Sequence, residues 1–175
     1  MAATVNIYEW TSTGTRTSKT SGTVRFKNAN NATVDLNDPL VVPTTAGGRD
    51  YSYGKALRLQ LGSNAASFTQ ISNVKFYTDG TNSFGAGVNL LAGAASTWNA
   101  SLVAEGTTAT ALTDAFAYES TAPLALSTGT YGSSAYSSTA IDELGYFANL
   151  LMYVTTAASQ GTLSAETVTF SYDEI

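Results

Sequence analysis

The chain predicts an all-β fold: an antiparallel β-sandwich or jelly roll preceded by an extended N-terminal segment. Three observations predict it. Apolar and polar residues alternate with period two in segment after segment, as they do in half-buried strands. Clusters of Gly, Asn, Asp, Ser and Pro punctuate those segments at turn spacing. No stretch carries a sustained apolar period of 3.6, so no long helix is expected. Seven to nine strands joined by turns, without helices, suit two packed antiparallel layers.

The elements follow in order. Val5, Ile7 and Glu9 share one face of a first strand, with Asn6, Tyr8 and Trp10 opposite. Thr11–Gly22 is rich in Thr and Ser, carries Arg16 and Lys19, and reads as a loop or extended arm. Residues 1–22 are therefore assigned to an N-terminal strand and arm, and residues 23–175 to the sandwich. Val24 and Phe26 alternate with Arg25 and Lys27 as a half-buried strand; Asn28–Asn31 turns the chain; Val34 and Leu36 alternate with Asp35 and Asn37. Pro39 and Pro43 bracket Leu40-Val41-Val42, which suits an extended edge segment.

Leu57, Leu59 and Leu61 opposite Arg58 and Gln60 make the clearest strand. Ile71–Tyr77 is another, with Val74 and Phe76 opposed to Asn73 and Lys75, and Asp79-Gly80 marks the turn after it. Gly85–Gly93 is rich in Gly, Ala and Leu, and Thr97–Leu102 alternates through Trp98, Ala100 and Leu102. Asp114–Tyr118 reads as a short strand or a helical turn. Ser127–Thr139 is a low-complexity loop, and Thr139–Leu144 a single helical turn. Tyr146–Val154 is apolar on both faces, as a central strand is. Val168, Phe170 and Tyr172 line the core face of a last strand.

Composition narrows the chemistry. The 175 residues suit one domain, with or without an arm, large enough to bury roughly 70% of the unfolded surface. There is no His and no Cys. Ser-His-Asp and Cys-His nucleophilic sites are thereby excluded, and so are imidazole or thiolate metal ligands. The chain is expected to be non-enzymatic and without cofactor. Carboxylates are the remaining acid-base groups, and a glycosidase needs two of them facing one another. Asp142/Glu143 and Asp173/Glu174 are adjacent, so a strand sends each pair to opposite faces. A cross-strand pair such as Asp114 with Glu166 stays open.

Asp79-Gly-Thr-Asn82 has the oxygen content of a calcium loop but lacks spaced acidic ligands, and reads as a polar turn. Gly85-Ala-Gly87 has neither a third Gly nor a P-loop Lys. Tyr51, Tyr53, Tyr131, Tyr136 and Trp98 serve either as a stacking platform for sugars or as core and interface packing. Asn31-Ala-Thr33 and Asn99-Ala-Ser101 match glycosylation acceptors, whereas the start of the chain lacks the basic and apolar regions of a signal peptide. No apolar run approaches the ~20 residues of a membrane span.

Charge is segregated. All eight basic residues lie in positions 1–75 beside four carboxylates; the last 100 residues carry nine carboxylates and no side-chain cation. Either the halves neutralise each other within one fold, or the molecule docks head to tail or onto a charged partner. The cations are too dispersed to follow a phosphate backbone, so nucleic acid is not an expected partner.

Several blocks resemble, taken together, small virion structural proteins of tailed bacteriophages. They are Gly22-Thr-Val-Arg-Phe-Lys27, Asp38-Pro-Leu-Val-Val-Pro43, Tyr51-Ser-Tyr53 with Leu57-Arg-Leu59, Ile71-Ser-Asn-Val-Lys-Phe-Tyr-Thr-Asp-Gly80, and Thr167-Val-Thr-Phe-Ser-Tyr-Asp-Glu-Ile175. The likeness runs over residues 22–175 and consists of strand-and-turn patterns, with no catalytic residues to carry over. It implies a capsid decoration or cement protein, or alternatively a tail, neck or fibre component. The implied place is the virion after synthesis in the host cytoplasm. The implied partners are the major capsid protein or other virion proteins and further copies of the chain, a trimer suiting three-fold positions. On that reading Arg16, Lys19, Arg25 and Lys27 are the expected docking residues.

Overall fold

In the computed structural model, residues 3–62, 69–103, 105, 112–127, 129–132 and 143–175 are described. They form two antiparallel sheets packed together around one core, with two short 3-10 turns. The strands are β1 (Val5–Ser12), β2 (Thr15–Ser18), β3 (Arg49–Tyr51), β4 (Lys55–Leu61), β5 (Gln70–Tyr77), β6 (Val88–Ala95), β7 (Thr113–Asp114), β8 (Leu124–Ala125), β9 (Tyr131–Gly132), β10 (Glu143–Thr155) and β11 (Thr169–Glu174). The larger sheet runs β2-β1-β4-β10-β6-β7, with β3 also on β10; the smaller runs β11-β5-β8, with β9 also on β5. Among the described residues no helix is long and apolar enough to cross a membrane.

The expectation of a long apolar central strand corresponds to β10. Its 13 residues pair with β4 and β3 on one side and β6 on the other. Leu144, Ala148, Leu150 and Met152 face the smaller sheet and meet Leu57, Leu59, Ile71, Val74, Phe76 and Leu126. Phe76 and Phe170 close that core edge-to-face at 5.5 Å. The ladder between β4 and β10 shifts register between Leu144 and Ala148, around Gly145. Gly145 has φ +68°, and a Cβ there would lie 2.6 Å from the Leu126 carbonyl oxygen, so only glycine fits.

Several expectations need correction. Thr11–Gly22 is not an arm, since β1 extends to Ser12 and β2 turns back along it. β1 itself lies between β2 and β4, in register with β4 from Val5↔Leu61 to Trp10↔Ala56, so the segment before residue 22 belongs to the larger sheet. The β-prone Thr residues favour that hairpin. Conversely, neither 24–27 nor 34–37 is a strand. Val24 and Phe26 pack on the core, but Val34 and Leu36 are 52% and 71% exposed. The physical reason is Lys27, whose buried amine draws Asp35 inward and turns its apolar neighbours out.

The Gly/Ala/Leu stretch became β6, where small residues admit close neighbours. Trp98 lies in an irregular strap ending in the 3-10 turn Ala100–Val103 instead of a strand. Asp114–Tyr118 is both things at once: β7 ends at Asp114, whose carboxylate caps the 3-10 turn Ala115–Ala117. Of the expected helical turn 139–144, Glu143 and Leu144 are strand, and residues 139–142 lie outside the described residues, as do 128 and 133–139 of the expected loop.

Candidate functional site

The segment 23–48 crosses the fold without a strand ladder, so its carbonyls need other donors. Lysine ammoniums supply them. Lys19 Nζ donates to the Thr23 and Ala32 carbonyls at 2.9 and 2.8 Å, and Lys55 Nζ to the Asn31 carbonyl at 2.8 Å. Both amines converge on Glu9, which sits on the core face of β1 opposite Leu57. Lys55 Nζ is 3.0 Å from Glu9 Oε1, and Lys19 Nζ 3.3 Å from Glu9 Oε2. The second contact is an ion pair without hydrogen-bond alignment, because the Lys19 protons point at the carbonyls. Glu9 is 1% exposed and Lys55 2%.

Burial pushes the Lys55 ammonium below its ordinary pKa. Glu9 opposes that shift, and the charges of Lys19 and Lys27 add to it. Lys27, also buried, reaches Asp35 at 2.9 Å, and that hydrogen bond holds the Asp35 carboxyl below its ordinary value.

These staples shape the loop 34–41. Asp35 Oδ1 also accepts from the Asn37 amide at 3.0 Å, the Asn28 amide donates to the Asp38 carbonyl at 2.7 Å, and the Val41 amide donates to Asp50 Oδ2 at 2.6 Å. Asp38 takes a left-handed φ of 52°. The result is a held loop that turns Val34, Leu36 and Val41 to solvent, the last 64% exposed. Sequence reasoning missed this surface. Its signal was there as Lys27 and Asp35 eight positions apart, but which side chain goes inward depends on the fold.

The four expected docking cations do not form one surface. Lys19 and Lys27 are inside the fold, where Glu9, Asp35 and strandless carbonyls hold them. Arg16 lies on the outer face of the larger sheet, over the Trp10 ring at 5.2 Å and 3.9 Å from Glu143. Arg25 is half-buried and makes no ion pair among the described residues. Taking three lysines and Glu9 inside leaves the remaining side chains at −7 against −5 for the whole chain. The exterior is thus more acidic than composition suggests, even in the basic half.

The carboxylates serve as caps and ion-pair partners. Glu143 binds Arg58 and Arg16; Asp142 lies outside the described residues. Asp173 accepts from Asn73 at 2.5 Å and Glu174 from the Ala3 amide at 2.8 Å. Glu166 accepts from the Ser83 amide, and Asp114 from the Phe116 amide at 3.1 Å, so each carboxylate serves a backbone turn. Asp79 and Asn82 accept from backbone amides two residues on, which is turn geometry. Among the described residues no group of three His, Cys, Asp or Glu converges on a point. Gly85 and Gly87 lead into β6, Gly87 against the Ala158 backbone.

The aromatic set disperses as well. Tyr51 packs on Tyr153, the Tyr131 hydroxyl accepts from the Gly145 amide at 2.8 Å, and Trp98 joins Trp10 and Phe147. Tyr136 lies outside the described residues. The chain matches no protein-family model, no curated protein and no solved structure.

Proposed function

We propose that the chain is a non-enzymatic structural protein of a tailed-bacteriophage particle, a capsid decoration or cement protein with a sandwich of jelly-roll type. The observation that carries this reading is the loop 34–41, an apolar contact surface on an otherwise acidic body, held by interior ion pairs. Such a loop contributes by burying area: each apolar side chain transferred from water is worth about 1.5–3 kcal/mol. Repetition over a particle multiplies weak contacts.

The partner is the major capsid protein. With Asp35 and Asp38 beside Val34, Leu36 and Val41, the fitting patch on it is apolar with a cationic rim. This moves docking away from Arg16, Lys19, Arg25 and Lys27. Further copies of the chain, arranged as a trimer, belong to the same reading.

Peptide-level quantification of the chain in purified particles of the phage that encodes it tests the reading. A fixed simple ratio to the major shell protein supports decoration. A handful of copies per particle assigns the chain to the tail, neck or fibre, and absence from the particle overturns the proposal. Leu36→Ser with Val41→Ser is expected to release the chain from particles at unchanged stability.

A further inference from the structure

The outer face of the larger sheet, turned away from the smaller one, carries a second apolar cluster of Trp10, Ala56 and Phe147, with Trp98 packed on it. Register places its members. Trp10 on β1 is opposite Ala56 on β4; Ala56 is opposite Asn149 on β10; Asn149 is opposite Gly93 on β6. Adjacent strands are about 4.8 Å apart, so one transverse row runs from a large ring over small residues to an amide. Trp10 and Phe147 meet edge-to-face at 5.4 Å, and Arg16 caps the Trp10 ring.

Three polar atoms in this cluster are buried without a hydrogen-bond partner: Nε1 of Trp10, Nε1 of Trp98 and Oδ1 of Asn149. Trp10 is 7% exposed and Asn149 2%. A buried donor or acceptor without a partner costs about 1–3 kcal/mol, and three in one place are a concentration that native interiors avoid. They are two N–H donors and one carbonyl acceptor on one sheet face, with Trp10 and Asn149 two strands apart across Ala56. Nearby charge is already used, since Arg16 and Arg58 are paired with Glu143.

We propose that this row is a binding site for a neutral sugar residue. The chemistry selects that class: a pyranose offers an apolar C–H face to the half-buried Trp98 indole, oxygens to the two N–H groups, and a hydroxyl proton to Asn149 Oδ1. A charged ligand would find no unpaired counter-charge there, and a purely apolar one would leave all three polar atoms unmatched. In this proposal Trp98 is the side chain that moves to admit the sugar: it is half-buried on an irregular strap and makes no hydrogen bond through its indole. The site is independent of the loop 34–41 and of the particle reading.

The chain has two tryptophans, and both are in this cluster, so intrinsic fluorescence reports on this site alone. The test is a fluorescence titration of the full chain with glucose, galactose, N-acetylglucosamine and their short oligomers, beside a glycan array. The expected result is a saturable change in tryptophan emission with at least one neutral sugar, at millimolar or tighter affinity. Asn149→Leu, which keeps both indoles and fills the row, is expected to weaken it about tenfold or more. Trp98→Ala is expected to abolish array binding, with cooperative urea unfolding showing that the variant is still folded. A flat titration with every sugar and a blank array from folded protein overturn the proposal, and so does binding that survives both substitutions.

Discussion

Replacing Glu9 by Gln tests the account of the interior most directly. Glu9 is the carboxylate that both Lys55 and Lys19 reach, at 3.0 and 3.3 Å, and the two amines are 2% and 7% exposed. Gln keeps the shape and can still accept one hydrogen bond, but it removes the charge. Breaking a buried ion pair from one side costs about 3–5 kcal/mol, because the remaining ion stays desolvated. Domains of this size have about 5–15 kcal/mol in all, so the variant is expected to fold but to be much weakened. Urea denaturation followed by tryptophan emission reads the change; at a slope of about 2 kcal/mol per molar, the midpoint falls by about 1.5–2.5 M.

The pH dependence carries a sign. The folded-state pKa of Lys55 is depressed below its ordinary 10.5, with burial as the leading cause. Between the folded and unfolded values the unfolded chain binds more protons, so stability rises with pH through that window. Removing Glu9 lowers the folded value further and widens the window downward. The deficit of Glu9→Gln is therefore expected to shrink as pH rises through the folded value and past 10.5, above which the amine is neutral in both states. Adding Lys55→Met to Glu9→Gln removes one of the stranded charges, and the double variant is expected to be more stable than Glu9→Gln alone. A midpoint shift equivalent to less than about 1 kcal/mol for the single variant, or a double variant weaker than the single, refutes the reasoning.

Three further outcomes follow from the same geometry. Deleting residues 1–22 is expected to abolish cooperative unfolding, because it strips β4 of one of its two neighbours and Lys55 of Glu9; a folded, cooperatively melting truncation would show β1 to be dispensable. Gly145→Ala is expected to cost about 1–3 kcal/mol by thermal or urea melting, since it forces a left-handed alanine onto the Leu126 carbonyl oxygen. Asp35→Asn is expected to lower the urea midpoint at neutral pH by unpairing Lys27. Asp35 has a folded pKa below 3.8, so its contribution is present above that value, and the gap to the parent closes as pH falls through the folded pKa.

Much of the strand content was legible because period-two alternation records a two-sided environment. Leu57, Leu59 and Leu61 announced β4, and Val74 with Phe76 announced β5. The run 146–154 declared a strand covered on both faces, and it is the centre of the larger sheet. Alternation misled where a charge overrode it. Residues 24–27 and 34–37 alternate as well as any true strand, yet Lys27 and Asp35 are drawn to one another across that pattern. Thr11–Gly22 looked like a loop or extended arm because composition records the absence of apolar side chains, and an edge hairpin needs few of them.

The sequence by itself determined the all-β class, the exclusion of His- and Cys-based chemistry, and the apolar faces of the strands. These follow from composition and from a local period of two, which neighbours along the chain impose. Only the tertiary structure decided where the charges go. Whether Lys19 is a docking cation or an interior staple depends on Glu9 arriving beside it from β1 and on carbonyls that lack a ladder. Whether Trp98 joins Trp10 depends on a strap folding back over the sheet. These contacts join residues distant along the chain, and their energies come from desolvation and pairing in three dimensions, which no one-dimensional pattern encodes.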